Sequence, residues 1–226
     1  MKTALITGAN RGIGLEFARQ LKEKGYYVIG CCRRPFVALE LKLFADEIIK
    51  LDVTSDEEIL SLQKALNNRP IDLLVNNAGI GGEQGVTVGN IDRQNFVDVL
   101  NVNCISVVKL SDALLSNIEA SREKNILVIS SKMGSISDNQ SGGSYAYRTS
   151  KAALNCVMRS FAINVADKGV HVMLIHPGWV KTDLGGINAL ISVKTSVAGI
   201  LKQTDKYLSK SHADKIHHID GDMIDW

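Results

Sequence analysis

Residues 2–6 (KTALI) read as a short buried strand. The chain leaves it through Thr7-Gly8-Ala9-Asn10-Arg11-Gly12-Ile13-Gly14 and passes at once into a helical pattern of Leu15, Phe17, Ala18 and Leu21. Few folds accept a strand, a glycine loop and a helix joined this tightly. Glycine lets the backbone approach a ligand closely. The free N–H groups and dipole at the start of a helix attract negative charge, so this arrangement suits a pyrophosphate. The spacing is G-x-x-x-G-x-G with a leading Thr, not the commoner G-x-G-x-x-G.

Strand and helix patterns then alternate to the end. Short apolar, β-rich runs fall at residues 26–32, 45–51, 71–76, 125–131 and 170–176, as strands covered on both faces do. A helix is expected from Ser55 to about Asn67, and another is marked by Phe96, Val99, Leu100, Asn103 and Val107. Repeated βα units predict an α/β fold with a parallel, doubly wound sheet and right-handed crossovers. Two glycine-bearing segments, residues 79–89 and 141–144, read as loops at the ligand-binding edge of that sheet.

The length of 226 residues suits one domain spanning 1–226. A net charge of +2 gives no electrostatic case for nucleic acid or a membrane surface. The first residues enter a strand directly, without a basic region and long apolar stretch, so no secretory signal is expected and the chain is read as cytoplasmic. Cys31, Cys32, Cys104 and Cys156 form no C-x-x-C pair and read as buried thiols. Cys31 and Cys32, adjacent on a strand, should face opposite sides of the sheet. The same alternation separates His217 from His218, so no metal site is expected.

The chemical signal is Tyr147-Arg148-Thr149-Ser150-Lys151. Tyr147 and Lys151 are four apart and share a helix face. A phenol with a pKa of about 10 is a poor proton carrier at neutral pH, and a nearby ammonium is expected to lower it. The pair can then exchange a proton with a substrate oxygen. Alone the pattern is weak. Around it stand Ser130-Ser131 at the end of the fifth strand, Asn76-Asn77-Ala78-Gly79 at the end of the fourth, Asn103 on a flanking helix, and Pro177-Gly178-Trp179-Val180-Lys181-Thr182 after the sixth.

In order and spacing these motifs resemble the single-domain short-chain dehydrogenases/reductases, over nearly the whole chain. The resemblance implies a Rossmann fold with a seven-stranded, mostly parallel sheet of order 3-2-1-4-5-6-7 and helices on both faces. It implies hydride transfer between a nicotinamide and a carbonyl or alcohol carbon. Tyr147 is then the acid/base, and Ser131, preferred over Ser130, polarises the substrate oxygen. Lys151 tunes Tyr147 and binds the nicotinamide ribose, while Asn103 holds a water that links Lys151 to solvent. The cofactor contacts implied are Gly8, Asn10, Arg11, Gly12, Ile13, Gly14, Asn77, Ala78, Gly79, Tyr147, Lys151, Pro177, Gly178, Val180 and Thr182. Asp52 and Val53 are read as adenine contacts, with Asp52 as a helix cap the competing reading.

Enzymes of this fold that use NAD commonly carry a carboxylate at the end of the second strand. Here the stretch is Gly30-Cys31-Cys32-Arg33-Arg34. Arg33 and Arg11 suit a 2′-phosphate, so NADP (NADPH) and carbonyl reduction are expected. The substrate lid is placed at about residues 183–196. The wording HPGWVKTDLGG and the C-terminal DGDMIDW resemble the C-factor-like and sniffer-type carbonyl reductases, with Trp179 facing a small-molecule carbonyl substrate and Trp226 a packed anchor. The gap from Ser131 to Tyr147 is long, and its extra residues are placed in the polar loop 138–144. The alternatives are a nucleotide-binding signalling protein on the same fold and an NAD-linked alcohol dehydrogenase. A homodimer or homotetramer is expected from the family habit and from apolar Val107, Val108, Leu114 and Ile118.

Overall fold

The sheet follows the chain's own alternation. In the computed structural model, which describes residues 1–226, its strands are β1 (Thr3–Thr7), β2 (Tyr27–Cys32), β3 (Glu47–Lys50), β4 (Leu73–Asn76), β5 (Asn125–Ile129), β6 (His171–His176), β7 (His212–His218) and β8 (Met223–Ile224). Their order is β3-β2-β1-β4-β5-β6-β7-β8. The first seven pair in parallel and reproduce the expected order. The expected count of seven is corrected to eight. After β7 a turn at Gly221, with φ +107, lets the His218 N–H reach the Asp222 carbonyl, and two residues return antiparallel along β7.

Side chains alternate between the two faces. Leu5, Cys31, Leu74, Ile126 and Leu174 pack on one side. The helices there are α2 (Asp56–Leu66), α4 (Ser106–Ala113), α5 (Leu115–Glu119) and α6 (Tyr145–Asn164). Ile6, Cys32, Val75, Leu127 and Met173 pack on the other, against α1 (Gly12–Glu23) and α7 (Val193–Tyr207). Cys31 and Cys32 divide between the two cores as expected. Cys156 differs: it is exposed on α6. Leu114 and Ile118 are fully buried and Val107 nearly so, while Val108 packs partly buried against them. These residues are core, so the surplus apolar surface read as an assembly face is absent.

Helix ends account for several boundaries. The Ser55 hydroxyl accepts the Glu58 N–H to cap α2, and the Glu58 carboxylate reaches back to the Asp52 N–H at 2.6 Å. Asp52 is therefore not the cap. Its carboxylate closes a local turn onto Thr54. Ser192 caps α7, so the helix begins inside the expected lid and the free segment ends near Ile191. The helix carrying Asn103 is not continuous. It runs as α3 (Arg93–Leu100), then a π-helical turn over Asn101–Ile105, then α4. No helix is long and apolar enough to cross a membrane.

Candidate active site

Because the strands are parallel, the ends of β1, β4, β5 and β6 lie at one edge of the sheet. Thr7 ends β1, and its hydroxyl accepts the N–H groups of Asn77 and Ala78, each at 3.0 Å. The Asn77 amide donates to the carbonyls of Thr7 and Gly8. The leading Thr of the loop thus fastens the loop to the end of β4. Gly8 (φ +64) passes so close that a Cβ would lie 3.1 Å from the Ala78 Cα. A Cβ on Gly14 would sit 2.2 Å from the Gly8 carbonyl oxygen. What remains is a backbone cradle at the N-terminus of α1, which fits a pyrophosphate.

Two cations stand at the mouth of this cradle. Arg33 is exposed at the end of β2, close enough to Asp52 to help hold that carboxyl low, after the larger effect of Thr54. Arg11 sits at the start of α1 and forms an ion pair with Asp183 at the beginning of the lid. The sequence gives no sign of that pairing, since its partners are 172 residues apart.

The residues expected to carry the chemistry converge behind the cradle. Ser131 follows β5 and caps a short turn, its hydroxyl accepting the Met133 N–H. Ser130 is buried and donates instead to the Asn155 amide oxygen. That contact gives Ser130 a structural task and leaves Ser131 facing Tyr147. Desolvation pushes the Tyr147 phenol above its ordinary pKa, while the neighbouring Ser131 hydroxyl draws it back in part. Lys151 adds nothing to that balance, in which desolvation is the larger effect. The Lys151 ammonium lies 5.9 Å from the Tyr147 ring centroid and donates to the Ile129 carbonyl at 2.8 Å. With no carboxylate beside it, burial lowers its pKa to about 8.

Asn103 lies on the π turn and is fully buried. π turns are frequent at functional positions, and this one swings Asn103 toward the loop after β4. Its Oδ1 accepts the Ile80 N–H at 2.9 Å, and its Nδ2 donates to the Ile80 carbonyl and to the Ser150 hydroxyl. Both amide hydrogens are thus engaged by protein groups. Gly79 passes directly over it: a Cβ there would lie 3.2 Å from the Asn103 Oδ1.

The segment after β6 forms the other wall. Gly178 has φ +80 and the Pro177 carbonyl accepts the Ser196 hydroxyl. Val180 is buried and bridges to Ile191, and the Thr182 hydroxyl accepts the Gly185 N–H. Trp179 is half exposed, with its indole N–H donating to the Gly185 carbonyl at 2.8 Å. A cavity of about 120 Å³ opens beside Tyr147, between Phe96, Asn95, Glu83 and Tyr145. Trp179 does not line it. Tyr145 does. Arg148 braces the 138–144 loop through Ser141 and Gly142, and Lys132 pairs with Asp138. The Trp226 side chain is partly exposed, and its carbonyl accepts the Ser137 N–H, so the C-terminus is held by main chain rather than by a packed ring.

Sequence reasoning missed Ser150, Asn155 and Asp183. Ser150 was visible inside the Tyr–Lys motif, but nothing local says that its hydroxyl meets Asn103.

The short chain dehydrogenase family model matches residues 2–188. C-signal of Myxococcus xanthus is 34% identical over 157 residues, covering 70% of this chain and 93% of that protein. Among solved structures, a short-chain dehydrogenase/reductase from Burkholderia multivorans with bound NADP is 33% identical. It covers 100% of this chain and 99% of that one, with a TM-score of 0.90. The carbonyl reductase Sniffer of Drosophila melanogaster is 29% identical and covers 100% of both chains, with a TM-score of 0.88.

Proposed function

The chain belongs to the short-chain dehydrogenase family, and from that premise we propose that it is an NADPH-dependent carbonyl reductase acting on small ketones, aldehydes or quinones. The observation that carries the reading is Tyr147. Its phenol is partly buried beside the Ser131 hydroxyl and the Lys151 ammonium, and desolvation there favours the protonated form. A loaded acid suits reduction, in which the carbonyl oxygen must gain a proton.

The backbone around Gly8, Gly12 and Gly14 would hold the pyrophosphate, and Arg33, with Arg11 once it leaves Asp183, the 2′-phosphate. When bound, the nicotinamide supplies the hydride. Ser131 donates to the carbonyl oxygen and stabilises its growing negative charge. Tyr147 then delivers its proton to that oxygen. Lys151 stabilises the resulting phenolate, and residues 177–182 limit which side of the site is open. NADP in the Burkholderia multivorans relative and the carbonyl reductase activity of the Sniffer relative support both halves of the reading.

Purified protein should oxidise NADPH with at least some members of a panel of reactive ketones, aldehydes and quinones, and prefer NADPH to NADH. The similarity to C-signal favours one second reading, a nucleotide-binding signalling protein. Tight NADPH binding with no turnover across the panel would select it.

A further inference from the structure

Ser150 is fully buried in the first turns of α6, between Tyr147 and Lys151. Its hydroxyl donates to the Tyr147 main-chain carbonyl at 2.8 Å and accepts from the Asn103 Nδ2 at 3.0 Å. Asn103 in turn grips the Ile80 main chain on both its N–H and its carbonyl. Three parts of the chain are thus joined by one hydrogen-bonded line with Asn103 and Ser150 buried at its centre: the loop after β4, the π turn and the first turns of α6.

We propose that Ser150 is a positioning residue, which fixes the Tyr147 turn of α6 against the Asn103 π turn and the loop after β4. The inference rests on Tyr147 being the proton donor. Ser150 is the hydrogen-bonded link from Asn103 to α6. The Asn103 side chain reaches α6 through the Ser150 hydroxyl. A hydroxyl is required because the position needs a donor to the carbonyl and an acceptor for the amide at once. A helix serine that donates to a carbonyl one turn back also bends its helix slightly, so its removal changes the course of the turn that carries the phenol.

The test compares Ser150→Ala, Ser150→Thr, Asn103→Ala and the double variant Ser150→Ala/Asn103→Ala. Ser150→Ala should lower kcat about tenfold, as expected for a small misplacement of a reacting group. KM and NADPH binding should stay within about twofold. The fall of activity toward high pH should begin at lower pH, because a loosened phenol loses part of the burial that raises its pKa. An ultraviolet titration of Tyr147, taken as the difference from Tyr147→Phe, should move the same way. That titration needs no substrate, so it separates this inference from the reading of the reaction. Ser150→Thr, which keeps the hydroxyl, should recover kcat to within about threefold of the parent. The double variant should lose little more kcat than the worse single one, since both cut the same line. Unchanged kcat and phenol titration in Ser150→Ala, with only a lower Tm, would overturn the proposal. So would losses that simply multiply in the double variant.

Discussion

Asn103, Ser131 and Lys151 are at most 5% exposed, and each is hydrogen-bonded to the main chain. Arg11 and Asp183, at the mouth of the same cleft, are 62% and 81% exposed and hold only each other. The floor of the site is built as part of the core, so its geometry comes with the fold. The rim is held by charges that water screens, so its partners can be exchanged at little cost to the fold. If the floor carries the proposed chemistry and the rim the cofactor choice, substitutions at each should behave differently.

The sharpest contrast lies between adjacent residues. Ser131→Ala should lower kcat by about 100- to 1,000-fold, the cost of losing a donor to a developing oxyanion, with little loss of stability. Ser130→Ala should do the reverse, because its hydroxyl serves Asn155. It should cost about 1–2 kcal/mol of stability and leave kcat nearly intact. Chemical denaturation and steady-state kinetics on the two variants separate the roles. On the rim, Arg33→Glu should weaken NADPH binding by roughly 10- to 100-fold while changing NADH binding by no more than about threefold, measured by fluorescence titration.

Lys151 shows what the floor costs. Its pKa is about 8 against an ordinary 10.5, so the folded protein disfavours the charged form. Between those values the unfolded chain binds more protons than the folded one, and stability rises as pH increases from about 8 to about 10.5. Below pH 8 the full penalty is present, about 3 kcal/mol. Lys151→Met should therefore raise stability at neutral pH by about 1–2 kcal/mol, after allowing for the Ile129 carbonyl it abandons, while abolishing turnover. It should also flatten the rise of Tm above pH 8. The smallest effect is expected at Asp183. Asp183→Asn should release Arg11 and tighten NADPH by up to about fivefold, with NADH unchanged, in line with an exposed ion pair.

Much of the floor was legible because its signals are local. The loop from Thr7 to Gly14 carries its own backbone logic, and Tyr147 and Lys151 share a helix face by spacing alone. What escaped depends on contacts far apart in the chain. Asn103 and Ser150 are 47 residues apart, and Arg11 and Asp183 further still. The π turn was hidden because Phe96, Val99, Asn103 and Val107 keep an α-helical spacing while the backbone winds one residue wider. β8 has two residues, too few for any alternation to register. Val107, Leu114 and Ile118 looked surplus because the sequence does not say how many layers lie over β4 and β5. The Tyr147 phenol obeys the same limit: spacing reveals the ammonium, but not how much water the phenol has lost.

The most direct measurement is single-turnover hydride transfer from NADPH in Tyr147→Phe, paired with NADPH titration of the same variant. The account expects cofactor affinity within about twofold of the parent and transfer slowed by about 100- to 10,000-fold, since the cradle is untouched and the proton source is gone. Full transfer rates in this variant would contradict it, and would mean that the proton reaches the substrate oxygen from another group.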